Sequence, residues 1–310
     1  MQKLAITGAT GFVGRHVLRA ALESGHSVSA WVRSVEKLAD FEDPNLEIIQ
    51  WQADEHLEGK HQLDGVDAVI HLAAFLPPSY SAPEHAEQCF RVNTMGTLKL
   101  LESSQKAGVS KFIYISSGNI YRPGMAAATE DAPTYPSWRA PYYLTSKLAA
   151  GVAVDHFRQQ NAFDSTIILR PSAIYGPGMS SGVIPYFAQR LLKGKAIEVS
   201  DGGRHEVDFV YVYDVVQAIE KSLSCESSDC FNVGSGRRHS ILELARTLSD
   251  ICDASEEQIS VVPAANTDTP PKGFSGLDIT HIRDTLGYEP TDFSVGLRQF
   301  VDHLRCDGER

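Results

Sequence analysis

At 310 residues, with 43% hydrophobic side chains, the chain can bury one large core, or one large domain with a smaller lobe grafted on it. Its net charge of −11, with no basic stretch interleaved with aromatics, argues against a nucleic-acid surface. No run of ~18 apolar residues is present to span a membrane, and the first residues enter a strand with no room for a charged leader, so a cytoplasmic protein is expected.

The first apolar strand, Leu4-Ala5-Ile6, must turn into a helix through Thr7-Gly8-Ala9-Thr10-Gly11-Phe12-Val13-Gly14. Glycines there let the N-terminal amides of a helix face a pyrophosphate with no Cβ in the way. Gly-rich triplets also occur in plain strand-to-helix turns, and the spacing here is GxxGxxG rather than GxGxxG. Position decides more than spelling: the triplet follows the first strand, and Val13, Val17, Leu18, Ala21 and Leu22 then recur at helical spacing until Gly25. Gly8, Gly11, Phe12, Val13 and Gly14 are therefore the expected dinucleotide cradle.

Short apolar runs then alternate with amphipathic helices, at residues 28–32, 46–49, 68–72, 112–115 and 166–169. This alternation predicts an α/β fold, a Rossmann doubly wound parallel sheet covered on both faces. Ligands lie across the carboxyl ends of the strands in such sheets, which makes candidates of Arg33, Asp54, Ala73-Ala74-Phe75, Ser116-Ser117 and Pro171-Ser172. Beyond Arg170 the pattern loosens around Gly176-Pro177-Gly178, Gly202-Gly203, Gly234-Ser235-Gly236 and Pro270-Pro271, which predicts a smaller C-terminal α/β substrate lobe. The expected boundaries are 1–172 for the dinucleotide-binding domain, completed by part of 207–232, and 173–310 mainly for the lobe. With no flexible linker, the two are expected to share a cleft. The cysteines, Cys89, Cys225, Cys230, Cys252 and Cys306, are odd in number and lack CxxC pairing, so free thiols are expected, with no disulfide and no metal site.

Tyr143 and Lys147 lie four apart, on one face of a predicted helix. Such a pair is commonly a half-exposed packing contact. Here it follows a strand ending in Ser116-Ser117, precedes the apolar continuation Leu148-Ala149-Ala150, and shares the chain with a dinucleotide loop. A free tyrosine titrates near ~10, so proton transfer at neutral pH needs its phenolate stabilised by up to ~4 kcal/mol. One ammonium ~4 Å away in a partly desolvated cleft is of that size, and an oxidised nicotinamide adds a second positive charge. Lysine is then electrostatic, tyrosine transfers the proton, and the Ser117 hydroxyl holds the substrate oxygen.

An ordered series of segments now resembles a known family. Gly8 to Gly14, His71-Leu72-Ala73-Ala74, Val92-Asn93-Thr94-Met95-Gly96-Thr97, Ser116-Ser117 before Ile120-Tyr121, Tyr143 to Lys147, and Arg170 to Pro177 look like the extended short-chain dehydrogenase/reductases. More narrowly they resemble the nucleotide-sugar epimerase/dehydratase group, and the likeness runs on through Asp208-Phe209-Val210-Tyr211, Phe231-Asn232-Val233-Gly234 and Leu286-Gly287-Tyr288-Glu289-Pro290. The resemblance implies that Ser117, Tyr143 and Lys147 are the catalytic triad, with Tyr143 and Lys147 also touching the cofactor. It implies that Asn93 lies near the cofactor or a supporting water, that Asp54 contacts the adenine, and that Leu72 and Ala73 line the nicotinamide-ribose path. Asn93 and Asp54 read equally well as cap or turn residues when taken alone. His71 begins no ligand pattern and is expected to be structural. A homodimer is implied through helices around 96–107 and 143–157, where small residues such as Ala149 and Ala153 serve a subunit contact or a buried one within the chain.

NAD-preferring sites place an acid at the end of the second strand. This chain has Val32 there, followed by Arg33, whose planar fork suits a 2′-phosphate, so NADP is the first choice of cofactor, with NAD the alternative. Arg33 stacked on adenine is the other reading of that residue. The chain also departs from the nucleotide-sugar pattern: Ala173 and Val207 stand where many relatives carry an asparagine and an arginine that reach the substrate diphosphate. Arg204 or His205 substitutes from the same loop, or each is a solvated surface residue. Gly118 and Asn119 stand where the sugar 4,6-dehydratases carry an acidic pair, which disfavours dehydration. Phe75, Ser117, Asn119, Ala173 and Arg204 are thus the candidate substrate contacts.

The expected activity is an NAD(P)-dependent oxidoreductase acting on a small-molecule secondary alcohol or ketone, a sugar or sugar-derived carbonyl. An epimerase that retains its cofactor is the runner-up. A dinucleotide-sensing regulator without chemistry is the alternative from another class, against which the intact Ser117, Tyr143 and Lys147 weigh.

Overall fold

A computed structural model describes residues 1–54, 61–136, 139–264 and 273–308. Strand β1 (Lys3–Thr7) leads through the glycines into helix α1 (Phe12–Glu23), then β2 (Ser27–Val32), β3 (Leu46–Gln50) and β4 (Ala68–His71). Helix α2 (Ala86–Cys89) runs through a π-helical turn, Phe90–Met95, into α3 (Gly96–Lys106), and β5 (Lys111–Ile115), α4 (Pro141–Gln159) and β6 (Ser165–Pro171) follow. These strands form a seven-stranded parallel sheet, order β3-β2-β1-β4-β5-β6-β10, whose last member is the distant β10 (Asp229–Val233).

The alternation of side chains along each strand explains why both faces are covered. Leu4, Ile6, Ala68, Ile70, Ile113 and Ile115 point to one core with Val17 and Leu18 of α1. Their neighbours Ala5, Val69, Phe112 and Tyr114 point to the other, with Leu100 and Leu101 of α3 and Ala150 and Val154 of α4. Chain order reverses between β1 and β4, so a crevice opens at their carboxyl ends, where such sheets bind ligands.

The rest of the chain is β7 (Ala173–Tyr175), α5 (Val183–Leu192), β8 (Ile197–Val199), β9 (Glu206–Tyr211), α6 (Val212–Leu223), β11 (Arg238–Ser240), α7 (Ile241–Ile251), β12 (Ile259–Val261), α8 (Thr280–Leu286) and α9 (Phe293–Gly308). Strands β11, β9 and β7 form a second small sheet, and β12 pairs with β8. Tyr175, Phe187, Phe209, Tyr211, Leu244, Phe293 and Phe300 fill the core of this lobe. Not all of the C-terminal half belongs to it: Val215, Ile219, Phe231, Leu277, Ile282 and Tyr288 return to the larger core beside α1. No helix among the described residues is long and apolar enough to cross a membrane.

Candidate active site

The cradle is built from the end of β1. Gly8 adopts a φ of +72°, and a Cβ there would stand 2.7 Å from the backbone nitrogen of Ala73, so the two strand ends meet without side chains between them. A Cβ on Gly14 would run into the Gly8 carbonyl. Gly11 is the N-cap of α1 and offers its first-turn amides no side-chain acceptor, which leaves a helix N-terminus suited to an anion. These residues fit a dinucleotide pyrophosphate. The side chains of Phe12 and Val13 pack against the core of the lobe, so what these two residues bring to the cradle is backbone.

Ser117, Tyr143 and Lys147 gather at the carboxyl end of β5. The Lys147 ammonium is buried, donates to the Ile115 carbonyl at 2.6 Å and lies 4.3 Å from the centre of the Tyr114 ring. Burial pulls its pKa down to about 7. Ser117 caps a short turn: its hydroxyl oxygen accepts from the Asn119 amide at 3.2 Å, which leaves the hydroxyl proton to donate elsewhere. Tyr143 is half-buried, and Tyr80 packs edge-on against its ring at 6.0 Å. Burial, followed by the neighbouring Tyr80 and Cys89, raises the Tyr143 pKa well above the usual phenol range. The expected lowering needs Lys147 together with the charge of an oxidised nicotinamide, and Lys147 by itself does not supply it. The ammonium is turned towards the Ile115 carbonyl and the Tyr114 ring, and desolvation of the phenol outweighs it.

Asn93 lies in the π-helical turn Phe90–Met95. It is 1% exposed, and its amide is occupied within the protein: Oδ1 accepts from the Phe75 amide at 2.6 Å, and Nδ2 donates to the Phe75 carbonyl at 3.2 Å and to the Ser146 hydroxyl at 2.9 Å. It positions the loop after β4 against α4. His71, next to Leu72 and Ala73, is fully buried between Thr7 and Thr97.

Other candidates are more dispersed. Arg33 follows β2, is exposed, and among the described residues pairs with no carboxylate. Asp54 pairs with Arg91 at 3.1 Å, and its carbonyl accepts from Lys99 at 2.6 Å. Leu72 and Ala73 continue β4 past Thr7, their amides bonding to the Thr7 carbonyl at 3.2 Å and hydroxyl at 3.2 Å. Pro171 ends β6, its carbonyl facing Gly118. Phe75 is half-buried and Asn119 half-buried, both on loops at the same sheet edge. Ala173, in β7, packs with Val207 against the lobe's core. Arg204 pairs with Asp201 within its own turn at 3.0 Å, while His205 accepts or shares a hydrogen bond with Arg139, just before α4, at 3.2 Å. Tyr80 and Ser146 were not legible as site residues: Tyr80 is 63 positions from Tyr143 with no periodicity linking them. Ser146 had one available signal, its place one turn after Tyr143, whose carbonyl its hydroxyl reaches at 2.7 Å.

Comparison with known proteins adds to this geometry. A model of the NAD dependent epimerase/dehydratase family matches residues 4–234. The GDP-6-deoxy-D-mannose reductase of Pseudomonas aeruginosa is 32% identical over 320 residues, covering 99% of this chain and 97% of that protein. The UDP-glucose 4-epimerase of Mycolicibacterium smegmatis is 28% identical over 318 residues, covering 97% of each. The structure of a Thermus thermophilus UDP-glucose 4-epimerase in complex with NAD superimposes with a TM-score of 0.77 at 25% identity, covering 98% of this chain and 99% of that one.

Proposed function

Because the chain belongs to the NAD dependent epimerase/dehydratase family, we propose that it is an oxidoreductase preferring NADP to NAD, a reductase of a sugar or sugar-derived carbonyl. The observation that supports this reading is the Lys147 ammonium bonded to the Ile115 carbonyl at the end of β5, which brings α4, with Tyr143 one turn earlier, to the strand end that continues into Ser117, on the carboxyl side of the sheet where the glycine cradle also lies. When bound, the nicotinamide supplies the hydride. Tyr143 donates its hydroxyl proton to the substrate oxygen as that oxygen gains charge, and the Ser117 hydroxyl, its lone pair engaged by Asn119, donates a second hydrogen bond there. Lys147 keeps positive charge beside the phenolate left behind. Gly8, Gly11, Phe12, Val13 and Gly14 hold the pyrophosphate, Arg33 the 2′-phosphate and Asp54 the adenine side, with Leu72, Ala73 and Pro171 along the path to the nicotinamide. Phe75, Asn119, Ala173 and Arg204 face the substrate.

Under this reading, 1–172 with part of 207–232 binds the dinucleotide and 173–310 mainly selects the substrate. A homodimer through α3 and α4 is supported by Val152, 63% exposed on α4, and Met95, 48% exposed at the end of the π-helical turn that leads into α3. The five free cysteines fit a reducing, cytoplasmic compartment. The second reading, an epimerase with retained cofactor, is favoured by the name of the Mycolicibacterium relative.

Two measurements test the proposal. The nucleotide released on denaturing the purified protein is weighed by mass spectrometry; a stoichiometric, non-exchanging dinucleotide favours the epimerase. NADPH and NADH are then titrated into wild type and Arg33→Ala. The wild type is expected to prefer NADPH, and loss of a desolvated arginine–phosphate contact to cost ~2 to 3 kcal/mol with NADPH and little with NADH. Equal weakening of both puts Arg33 on the adenine face, and a wild-type preference for NADH refutes the cofactor assignment.

A further inference from the structure

We propose that His71 is a positioning residue that couples the dinucleotide cradle to the helix bearing Tyr143 through one continuous line of buried hydrogen bonds. The inference rests on the proposed function above and concerns how the two halves of that site are held in register.

The direction of every bond in the line is determined by donor bookkeeping. Thr97 Oγ1 has one proton, and gives it to the Asn93 carbonyl at 2.6 Å. Towards His71 Nε2, at 2.9 Å, it can only accept, so Nε2 carries the ring proton. Nδ1 is then a bare acceptor, and Thr7 Oγ1 donates to it at 2.7 Å. With its proton used, Thr7 Oγ1 accepts from the Ala73 amide at 3.2 Å. The order is therefore Ala73 to Thr7 to His71 to Thr97 to Asn93, and a charged imidazole would break it at Nδ1. Burial, and next the charge of Lys147, push the His71 pKa down to about 3, so the ring stays neutral where enzymes work. Lys147 and Tyr114, the latter stacked on the ring at 5.9 Å, are the titratable groups facing it.

Both ends of the line reach the site. At one end, Thr7 and Ala73 flank Gly8 so closely that a Cβ there would meet the Ala73 nitrogen. At the other, the Asn93 side chain clamps both backbone groups of Phe75 and bonds Ser146, whose hydroxyl donates to the Tyr143 carbonyl. Thr94 adds a bond to the Ser146 carbonyl at 3.0 Å. Asn93 lies within the π-helical turn Phe90–Met95, and the carbonyl it presents is the one Thr97 holds. A displacement of Gly8 is thereby passed to the first turn of α4 through side chains that are each buried and fully hydrogen-bonded.

ADP tests this, because its diphosphate fills the cradle but it has neither the second ribose nor the nicotinamide to touch α4 directly. Amide hydrogen exchange is measured with and without saturating ADP in wild type, Thr97→Val, Thr7→Val and His71→Gln. In wild type, ADP is expected to slow exchange ~5- to 10-fold at Phe75 and in the first turns of α4. In Thr97→Val, which removes the hydroxyl at nearly constant volume, that remote protection should fall below ~2-fold while ADP affinity stays within ~3-fold. His71→Gln, able both to accept and to donate, should recover part of it. Nitrogen NMR of wild-type His71 should show the Nε2–H tautomer with no titration between roughly pH 5 and 9.

Protection of α4 that persists in Thr97→Val, its absence in wild type that binds ADP, or an Nδ1–H tautomer each overturns the inference. A general loss of stability with the ligand-dependent protection intact would make the line merely structural and overturns it as well. Wild type that binds neither ADP nor NADPH sinks the functional reading, and the coupling with it.

Discussion

Around the carboxyl ends of β1, β4 and β5 the polar side chains are buried and engaged, as Thr7, His71, Asn93, Thr97, Ser146 and Lys147 show, each below 3% exposure. In the C-terminal lobe the core is largely aromatic, with His239 stacked on Phe293 at 3.9 Å and Tyr175 packed on Tyr211 at 5.4 Å; Asp208 and Asp214 are buried carboxylates beside it, while other charges sit at the rim. Arg204 and Asp201 there leave 30% and 49% of their side chains exposed. A buried, satisfied polar group can take only one geometry, because leaving it unpaired costs ~1 to 3 kcal/mol. An exposed ion pair can exchange partners with water at almost no cost. The first region is therefore built to repeat one geometry, and the second can change its ligand by changing rim residues.

The sharpest way to break this contrast is at the cradle itself. Gly14→Ala drives a Cβ into the Gly8 carbonyl, and we expect a loss of ~3 kcal/mol or more in folding or dinucleotide affinity, read from urea melts and NADPH titration. A silent Gly14→Ala would show that the cradle relaxes easily. Tyr143→Phe is expected to lower turnover by at least ~10²-fold, ~2.7 kcal/mol, with cofactor affinity nearly unchanged, once a substrate is in hand. Near wild-type turnover would remove Tyr143 from the chemistry.

Stability against pH sharpens the comparison on the same side. Lys147 titrates near 7 in the folded chain against an ordinary 10.5, so between those values the unfolded state binds more protons and stability rises with pH. His71, near 3 against an ordinary 6.5, acts in the same sense lower down: stability falls as pH drops from 6.5 towards 3. Denaturant melts without added nucleotide should show the alkaline slope flattened in Lys147→Met and the acid slope reduced in His71→Gln. Unchanged slopes would mean that neither group is desolvated as the structure has it.

The smallest effect belongs to the rim. Arg204→Ala should cost less than ~1 kcal/mol of stability, since its pair with Asp201 is half-exposed. Ala173 and Val207 offer no cation or amide to a diphosphate, and burying one unpaired costs several kcal/mol, so calorimetry with UDP, TDP, GDP and CDP is expected to find weak binding. Micromolar affinity for any of them, lost in Arg204→Ala, would move the anchor to that loop and make the lobe an ordinary nucleotide-sugar site.

Much of the frame was legible beforehand for local reasons. Apolar runs of four or five residues bounded by helical periodicity read as parallel strands because both faces must be covered, and the helix over 141–159 follows from its own pattern. Asp229–Val233 resisted that reading: only alternate residues in DCFNV are strongly apolar, and it joins the sheet because β6 lies waiting for it. Residues 277–288 likewise return to the large core, a path that no local pattern reports.

Within the site the division is similar. Spacing alone brings Tyr143 and Lys147 to one helix face, and the glycines around α1 follow from the room a turn beside a second strand needs. Local pattern says nothing of where a polar side chain finds its partner. The chain by itself therefore determined the sheet, the cradle and the helix with its two titratable residues, since each depends on neighbours within about one element. Tertiary structure alone decided that Lys147 turns to Ile115, that Tyr80 covers Tyr143, that Asn93 faces inward, and which nitrogen of His71 carries the proton. Those outcomes are set by desolvation and by donors and acceptors from β1, β4 and α3, 64 and 26 positions from His71, which meet only when the sheet has formed.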